Sequence, residues 1–340
     1  MDRFFEDNPE DLEAIVTLLK KGRVVAVPTE TVYGLAADAL NVEACRRIFE
    51  IKCRPLIDPL IVHVYDRAQA ALLAQLTPLA NRLAESFWPG PLTLVLPKKP
   101  LVPDLITAGR PTVALRSPQH PLLRKVLKIS GLALAAPSAN PFSCLSPTTA
   151  AHVREALGTR APYILDGGGC TIGVESTIVD LSVPERPVVL RPGPITADAL
   201  QAALANTPVE SAIVSVEGAL ARKDEGVGLP APGLLSKHYC PRTPLFLLRP
   251  GVLPPKASKG SKIAWVRLER TDLPCPAVEG VETHPLSERG SLAEAARNLF
   301  GLLHQLDARR YKAIYVTKLP NEGLGTAMND RLKRASSGFI

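Results

Sequence analysis

The chain has 340 residues, 46% of them hydrophobic and 21% charged, which excludes wholesale disorder and leads us to expect two packed domains, since a single core stops growing below this length. A net charge of +7 and a pI near 9.1 favour acidic ligands such as phosphates or RNA, with the positive charge held locally because no dense basic tail is present. The acidic opening MDRFFEDNPED lacks the apolar core of a signal peptide, and no apolar run approaches the roughly 18 residues of a membrane span, so the expectation is a cytoplasmic protein with no membrane role.

Asn8 is placed to cap a first helix, Pro9 suits its first turn, and Leu12, Ile15, Val16 and Leu19 form one apolar face before Gly22 stops it. A strand over residues 23–27 follows, then a helix opened by Asn41 and running towards Lys52, then strands over 59–64, 92–96, 112–116, 132–136, 163–166, 176–181 and 187–191. Ser146 is read as the start of a further helix, capped by its own hydroxyl. This alternation predicts an α/β domain over residues 1–205. Glycine, proline and charge dominate 221–244, so 206–243 reads as a connecting linker. Beyond it a strand at 262–268, a helix at 292–306, a strand at 313–316 and a helix at 326–335 predict a small α/β domain over 244–340. Six cysteines show no C-x-x-C spacing, so reduced thiols are expected, with neither a zinc ribbon nor a disulfide framework.

Polar groups recur where these strands end. PTETVYG places Thr29, Glu30, Thr31 and Tyr33 in a loop closed by Gly34. KCRPLIDPLIVHV puts Lys52 and Arg54 at a helix end and Asp58 and His63 about an apolar strand; such cations also complement a helix dipole, worth under ~1 kcal/mol. FWPGPLTLVL reads as scaffold. VALRSP ends a strand with Arg116, whose planar guanidinium suits bidentate binding of a carboxylate or phosphate, a surface salt bridge being the alternative. LAAPSANPFSCLSPTTA directs Ser138, Asn140 and a helix amino terminus at one point, which suits an anion. DGGGC is a glycine-rich loop that permits close backbone approach to a ligand, and no Walker lysine follows it. VVLRPG again ends a strand with an arginine, Arg191. Ligands of α/β folds sit at strand ends, so these segments are expected to converge.

In this order, PTETVYG, K-x-R-P with PLIVHV, FWPGPLTLVL, VALRSP, SAN with SPTTA, and VLRPG resemble the YrdC-type threonylcarbamoyl-AMP synthases over residues 10 to 195. The segment PG-x-x-x-KHY-x-P and the closing NEGLGTAMNDRLKRAS resemble the long, two-domain form of that family. The resemblance implies a twisted mixed sheet with helices around a basic cleft, joined to a small Rossmann-like C-terminal domain. It implies that L-threonine, bicarbonate and ATP with Mg2+ give threonylcarbamoyl-adenylate and pyrophosphate, for passage to a tRNA threonylcarbamoyl transferase complex. Weak direct tRNA binding is a further expectation. By motif position, Thr31, His63, Arg116, Ala136 and Ser176 would hold threonine. Lys52, Arg54, Asp58, Thr112, Ser138, Asn140, Ser146, Arg191, His238 and Tyr239 would hold ATP, with Lys52, Arg54 and Arg191 stabilising charge during reaction and no residue set aside as a metal ligand. The linker with His238 and Tyr239 would act as a lid. Cys53 and Ser143 stand where the family favours glycine, and Asp58 where it often has asparagine. The rival readings are a carbamoyltransferase built on a YrdC-like domain, which would carry extra regions that this chain lacks, and a non-catalytic RNA-binding module.

Overall fold

The computed structural model describes residues 4–183, 187–204, 229–235, 237–269, 278–309 and 311–340. The chain divides into two compact units, one of Met1–Phe142, Pro147–Cys170 and Glu175–Leu234, the other of Ser143–Ser146, Thr171–Val174 and Leu235–Ile340.

In the first unit, β1 (Phe4–Phe5) leads into α1 (Pro9–Lys20), where Asn8 accepts from the N–H of Asp11 at 2.9 Å and the predicted face of Leu12, Ile15, Val16 and Leu19 is buried. Then come β2 (Val25–Val27), β3 (Gly34–Asp38), α2 (Val42–Lys52), β4 (Ile61–His63), α3 (Arg67–Leu73), α4 (Pro78–Phe87) and β5 (Leu92–Pro97). They are followed by α5 (Asp104–Thr107), β6 (Thr112–Arg116), α6 (Pro121–Ser130), β7 (Leu134–Ala135), α7 (Ala150–Leu157), β8 (Tyr163–Leu165), β9 (Thr177–Asp180), β10 (Val188–Arg191) and α8 (Ala197–Ala203). Ten strands make one mixed sheet in the order β1-β8-β2-β3-β7-β4-β6-β5-β9-β10. Both faces of its middle are covered. Along β2, Val25 and Val27 join Ile15, Leu19, Leu123 and Leu127 on one side, while Ala26 joins Leu35, Ile48, Leu94 and Leu115 on the other, the period-two alternation of a strand buried on both faces.

Three expectations change. The helix expected from Ser146 begins at Ala150, capped by Thr149, which accepts from the N–H of His152 at 3.2 Å. The carbonyls of Pro147 and Thr148 are used elsewhere, accepting from the N–H groups of Tyr33 and Cys170 at 2.9 Å, so these residues are held out of the helix. Gly34 opens a strand, β3, that pairs antiparallel with β2 and makes PTETVYG the turn of a hairpin. The sequence GLAAD lacks the β-branched and aromatic residues that mark strands, which hid it. Finally, most of the 206–243 segment lies outside the described residues, but Ala231 and Leu234 are buried with Ile61, Val95, Ala114, Ile178 and Leu190, so this end is packed rather than merely connecting.

The second unit comprises β11 (Leu245–Leu248), β12 (Ile263–Glu269), β13 (Val281–Ser287), α9 (Leu292–Ala308), β14 (Ala313–Thr317), α10 (Gly323–Ala335) and β15 (Gly338–Phe339). Its five strands are all parallel, in the order β13-β12-β14-β11-β15. Leu299, Phe300, Leu303 and Leu306 give α9 its buried face. Among the described residues no helix is long and apolar enough to cross a membrane.

Candidate active site

Strands β4 and β6 run parallel with His63 in register with Arg116, so the two side chains leave the sheet together. The Arg116 guanidinium is buried. Its Nη1 donates to Thr31 Oγ1 at 2.9 Å, its Nε to the carbonyl of Gly90 at 3.3 Å, and its Nη2 lies 2.7 Å from Glu30 Oε1. That last approach is a close ion pair lying off the angle of a hydrogen bond, and no well-directed hydrogen bond from the described residues reaches either Glu30 oxygen, Arg116 Nη2 or either nitrogen of His63. Burial alone would raise the Glu30 carboxyl, but the Arg116 charge and nearby backbone N–H groups outweigh it and hold the acid below its usual range. Burial, reinforced by Arg116, pushes the His63 imidazole down to about 3, so it is neutral. Cys170 is also near these charges, and burial pushes its thiol up to about 12.

The turn itself is braced. Thr29 Oγ1 donates to the carbonyl of Val32 at 2.7 Å and accepts from the N–H groups of Thr31 and Val32 at 3.0 and 3.1 Å. Tyr33 donates its hydroxyl to the Gly168 carbonyl at 2.7 Å and accepts from the Gly167 N–H at 3.1 Å, tying the hairpin turn to the glycine-rich loop. A Cβ on Gly167 would lie 2.6 Å from Pro28 and 2.7 Å from His120. The close approach that this glycine permits is thus to the protein itself, where the sequence suggested a ligand.

A second group of charges surrounds Asp58. At the end of α2, Lys52 is buried and donates from Nζ to the carbonyls of Ser138 and Asn140. Cys53 closes this helix in the left-handed region, at φ 52° and ψ 42°, and the next N–H, that of Arg54, returns to Phe49 O at 2.9 Å. Arg54 then donates Nε to the Asp58 carbonyl at 3.0 Å and Nη2 to the Pro59 carbonyl at 2.7 Å, while its Nη2 stands 2.9 Å from Asp58 Oδ2. Asp58 is wholly buried, and desolvation raises its carboxyl above the usual value against the opposing charges of Arg54, Lys52 and Arg191. Its carboxylate thus pairs with the Arg54 guanidinium inside the protein.

Arg191, at the end of β10, donates Nε to the Ser176 carbonyl and Nη2 to Ser176 Oγ, both at 3.1 Å, and Nη1 to the Pro232 carbonyl at 3.4 Å. Ser176 Oγ also meets Thr93 Oγ1 at 2.7 Å. Gly193 lets this happen, because a Cβ there would sit 2.3 Å from the Thr177 nitrogen. The two groups share a support in the turn before β5. Gly90 takes the Arg116 Nε and donates its N–H to Ser117 O at 2.8 Å, and Pro91 O accepts from the Thr177 N–H at 3.0 Å. A Cβ on Gly90 would strike Phe87 O at 2.4 Å.

The other sequence-predicted residues are more scattered. Ala136 is buried and donates its N–H to Ile61 O at 3.0 Å. Asn140 donates Nδ2 to Pro141 O at 3.0 Å. Thr112 starts β6, opposite Pro97, and stands four residues, ~13 Å of strand, from Arg116. Ser146 belongs to the second unit, is buried, and its carbonyl meets His304 Nε2 at 3.1 Å. His238 and Tyr239 also belong to that unit: their rings lie 4.1 Å apart, and Tyr239, at φ 64°, packs 5.8 Å from Phe300 under the Arg331 guanidinium. The sequence reading named Glu30 in its loop but gave it no ligand, and it passed over Thr93. The signals were a lone acid among the hydroxyls of PTET and a lone hydroxyl in the apolar run LTLVL.

Two family models together span the chain: one described as telomere recombination, of the Sua5/YciO/YrdC type, matches residues 17–193, and one described as the threonylcarbamoyl-AMP synthase C-terminal domain matches 195–337. The threonylcarbamoyl-AMP synthase of Pyrococcus abyssi is 37% identical over 94% of this chain and 92% of its own. That of Bacillus subtilis is 36% identical over 100% of this chain and 96% of its own. The solved Sua5 of P. abyssi complexed with L-threonine superposes with a TM-score of 0.82 at 34% identity, covering 99% of this chain and 98% of that one. The chain therefore belongs to the threonylcarbamoyl-AMP synthases, in the form that joins a YrdC-like domain to a Sua5-type C-terminal domain.

Proposed function

We propose that this chain condenses L-threonine, bicarbonate and ATP into threonylcarbamoyl-AMP and pyrophosphate. The observation that carries the reading is the pairing, in one unit, of a buried arginine pocket whose ion pair to Glu30 is poorly directed and a separate group of three buried cations, Lys52, Arg54 and Arg191, about Asp58. Arg116 and Thr31 take the threonine carboxylate, with neutral His63 beside them; Ser176 and Ala136 complete that side. Lys52, Arg54 and Arg191 take the nucleotide phosphates, with Ser138 and Asn140 fixing the lysine.

In this reading the threonine amine adds to the carbon of bicarbonate-derived carbon dioxide and loses a proton, giving a carbamate. A carbamate oxygen then attacks the α-phosphorus of ATP, and the bond to the β-phosphate oxygen breaks, releasing pyrophosphate. No covalent enzyme intermediate is needed, so the protein's part is positioning and charge stabilisation. Magnesium, bound to the nucleotide, would neutralise phosphate charge. The mixed anhydride is hydrolysable and suits handover to a transferase that modifies tRNA.

The test is pyrophosphate release from ATP, labelled L-threonine, bicarbonate and magnesium. Release that requires threonine, with label appearing in an adenylate, is expected. Release without threonine dependence, or none, overturns the reading and leaves an RNA-binding or carbamoyl-transfer role to be tested.

A further inference from the structure

The threonine site contains an acid that the preceding roles leave unused. Glu30 is 3% exposed, charged, and set against Arg116, yet neither of its oxygens receives a well-directed hydrogen bond among the described residues. Arg116 Nη2 beside it also lacks a well-directed acceptor, so the pair is held by charge and not by fitted hydrogen bonds. His63 and Cys170 are neutral, so Glu30 and Arg116 are the opposed charges of this pocket.

A carboxylate arriving at Arg116 would draw the guanidinium away from Glu30 and strand the acid. A ligand that brings its own cation next to its carboxylate avoids this, because each ligand charge replaces one partner of the existing pair. Deepening the threonine-site reading on which it rests, the geometry points to Glu30 as the group that binds the α-ammonium of the substrate, so that Glu30 and Arg116 together recognise a zwitterionic α-amino acid. The selected feature is the amine that must become the carbamate nitrogen. A hydroxy acid with the same carboxylate and the same 3-hydroxyl would engage Arg116 alone.

The experiment titrates the full chain with L-threonine and with 3-hydroxybutyrate, which is threonine without its amine, by calorimetry. The unaltered protein is expected to bind threonine at least about tenfold more tightly. Glu30→Gln is expected to weaken threonine by about tenfold or more while leaving 3-hydroxybutyrate within about twofold, because only the former carries the charge that Glu30 meets. A residue that merely held Arg116 in place would weaken both ligands alike, and that result overturns the inference while leaving the proposed function standing. Equal binding of the two ligands by the unaltered chain overturns it too, without reference to any variant, so a Glu30→Gln protein that fails to fold does not shelter it. Failure of the unaltered chain to bind threonine at all overturns both this inference and the function on which it rests.

Discussion

Arg116 and Arg54 are both buried, both within reach of a buried carboxylate, and both on the same sheet-bearing unit, yet their surroundings differ in kind. Arg54 directs Nε and Nη2 to the carbonyls of Asp58 and Pro59, two groups of its own loop. Arg116 reaches instead to a threonine and an acid of the hairpin turn and to a glycine carbonyl of a second segment, and the ion pair at its outer nitrogen is poorly directed. The first arrangement is a fixed electrostatic floor; the second is a socket whose present contacts are second best. That difference suits a polyphosphate, which needs density of charge, and a small amino acid, which needs matched geometry.

The comparison breaks most visibly at Arg116. Arg116→Ala leaves Glu30 buried without its counter-charge, a change that typically destabilises by about 3 kcal/mol. Urea unfolding should show a loss of that order, and adding Glu30→Gln should recover part of it. Calorimetry should show threonine binding weakened by about 100-fold or more, with ATP affinity within about threefold. If both ligands weaken together, the two arginine environments are not separate sites. Gly193→Ala probes the other group. Its Cβ would collide with the Thr177 backbone beside Ser176, the residue that Arg191 holds, so about 2 kcal/mol of stability should be lost, and both affinities should fall, because Ser176 stands on the threonine side and Arg191 among the phosphate cations. A variant with unchanged stability would show that the turn after Arg191 has more room than the backbone indicates.

The two carboxylates also differ in sign against pH. Glu30 is held below its ordinary value, so it contributes stability that is present above the unfolded value of 4.5 and lost as pH falls through its folded value. Asp58 is raised, so its cost grows as pH climbs from 3.8 towards its folded value and is fully present above that. Relative to the unaltered protein, Asp58→Asn should therefore fare better near neutral pH than near pH 4, whereas Glu30→Gln should fare worse near neutral pH than near pH 4. Unfolding curves of both variants from pH 4 to 8 check this. Parallel trends would mean that the Arg54 and Arg116 pairs are alike after all.

Much of this arrangement could be read along the chain, because strand ends and helix caps are local. Asn8, Asn41, His63, Arg116 and Arg191 occupy the caps and strand ends that the pattern assigned. What escaped was non-local. Nothing in PTETVYG says that Glu30 will meet an arginine 86 residues away (116 − 30), nor does KCRPLID say that Asp58 will pair with Arg54 while wholly buried. The strand β3, made of Gly, Leu, Ala and Asp, is set by its neighbours β2 and β7 and not by its own propensity. The buried stretch around Ala231 and Leu234 was hidden by its prolines and glycines, which resemble a linker until a sheet face is there to cover.

The smallest expected effect lies in the backbone of the fixed group. Both positions where the related family favours glycine, Cys53 and Ser143, have positive φ, at 52° and 64°. An L-residue in that region costs about 1 kcal/mol relative to glycine, partly offset by glycine's greater freedom when unfolded. Cys53 terminates α2 one residue before Arg54, so the strain is borne where the helix hands its chain to the Arg54–Asp58 loop. Its thiol is exposed and accepts from Arg160 Nη1 at 2.9 Å, a contact of small worth at the surface. Cys53→Gly should then raise the unfolding free energy by about 0.5–1 kcal/mol and leave threonine-dependent pyrophosphate release unchanged. A stabilised protein with lowered activity would assign the thiol a part in positioning Arg54; a destabilised one would show that the Arg160 contact outweighs the backbone strain.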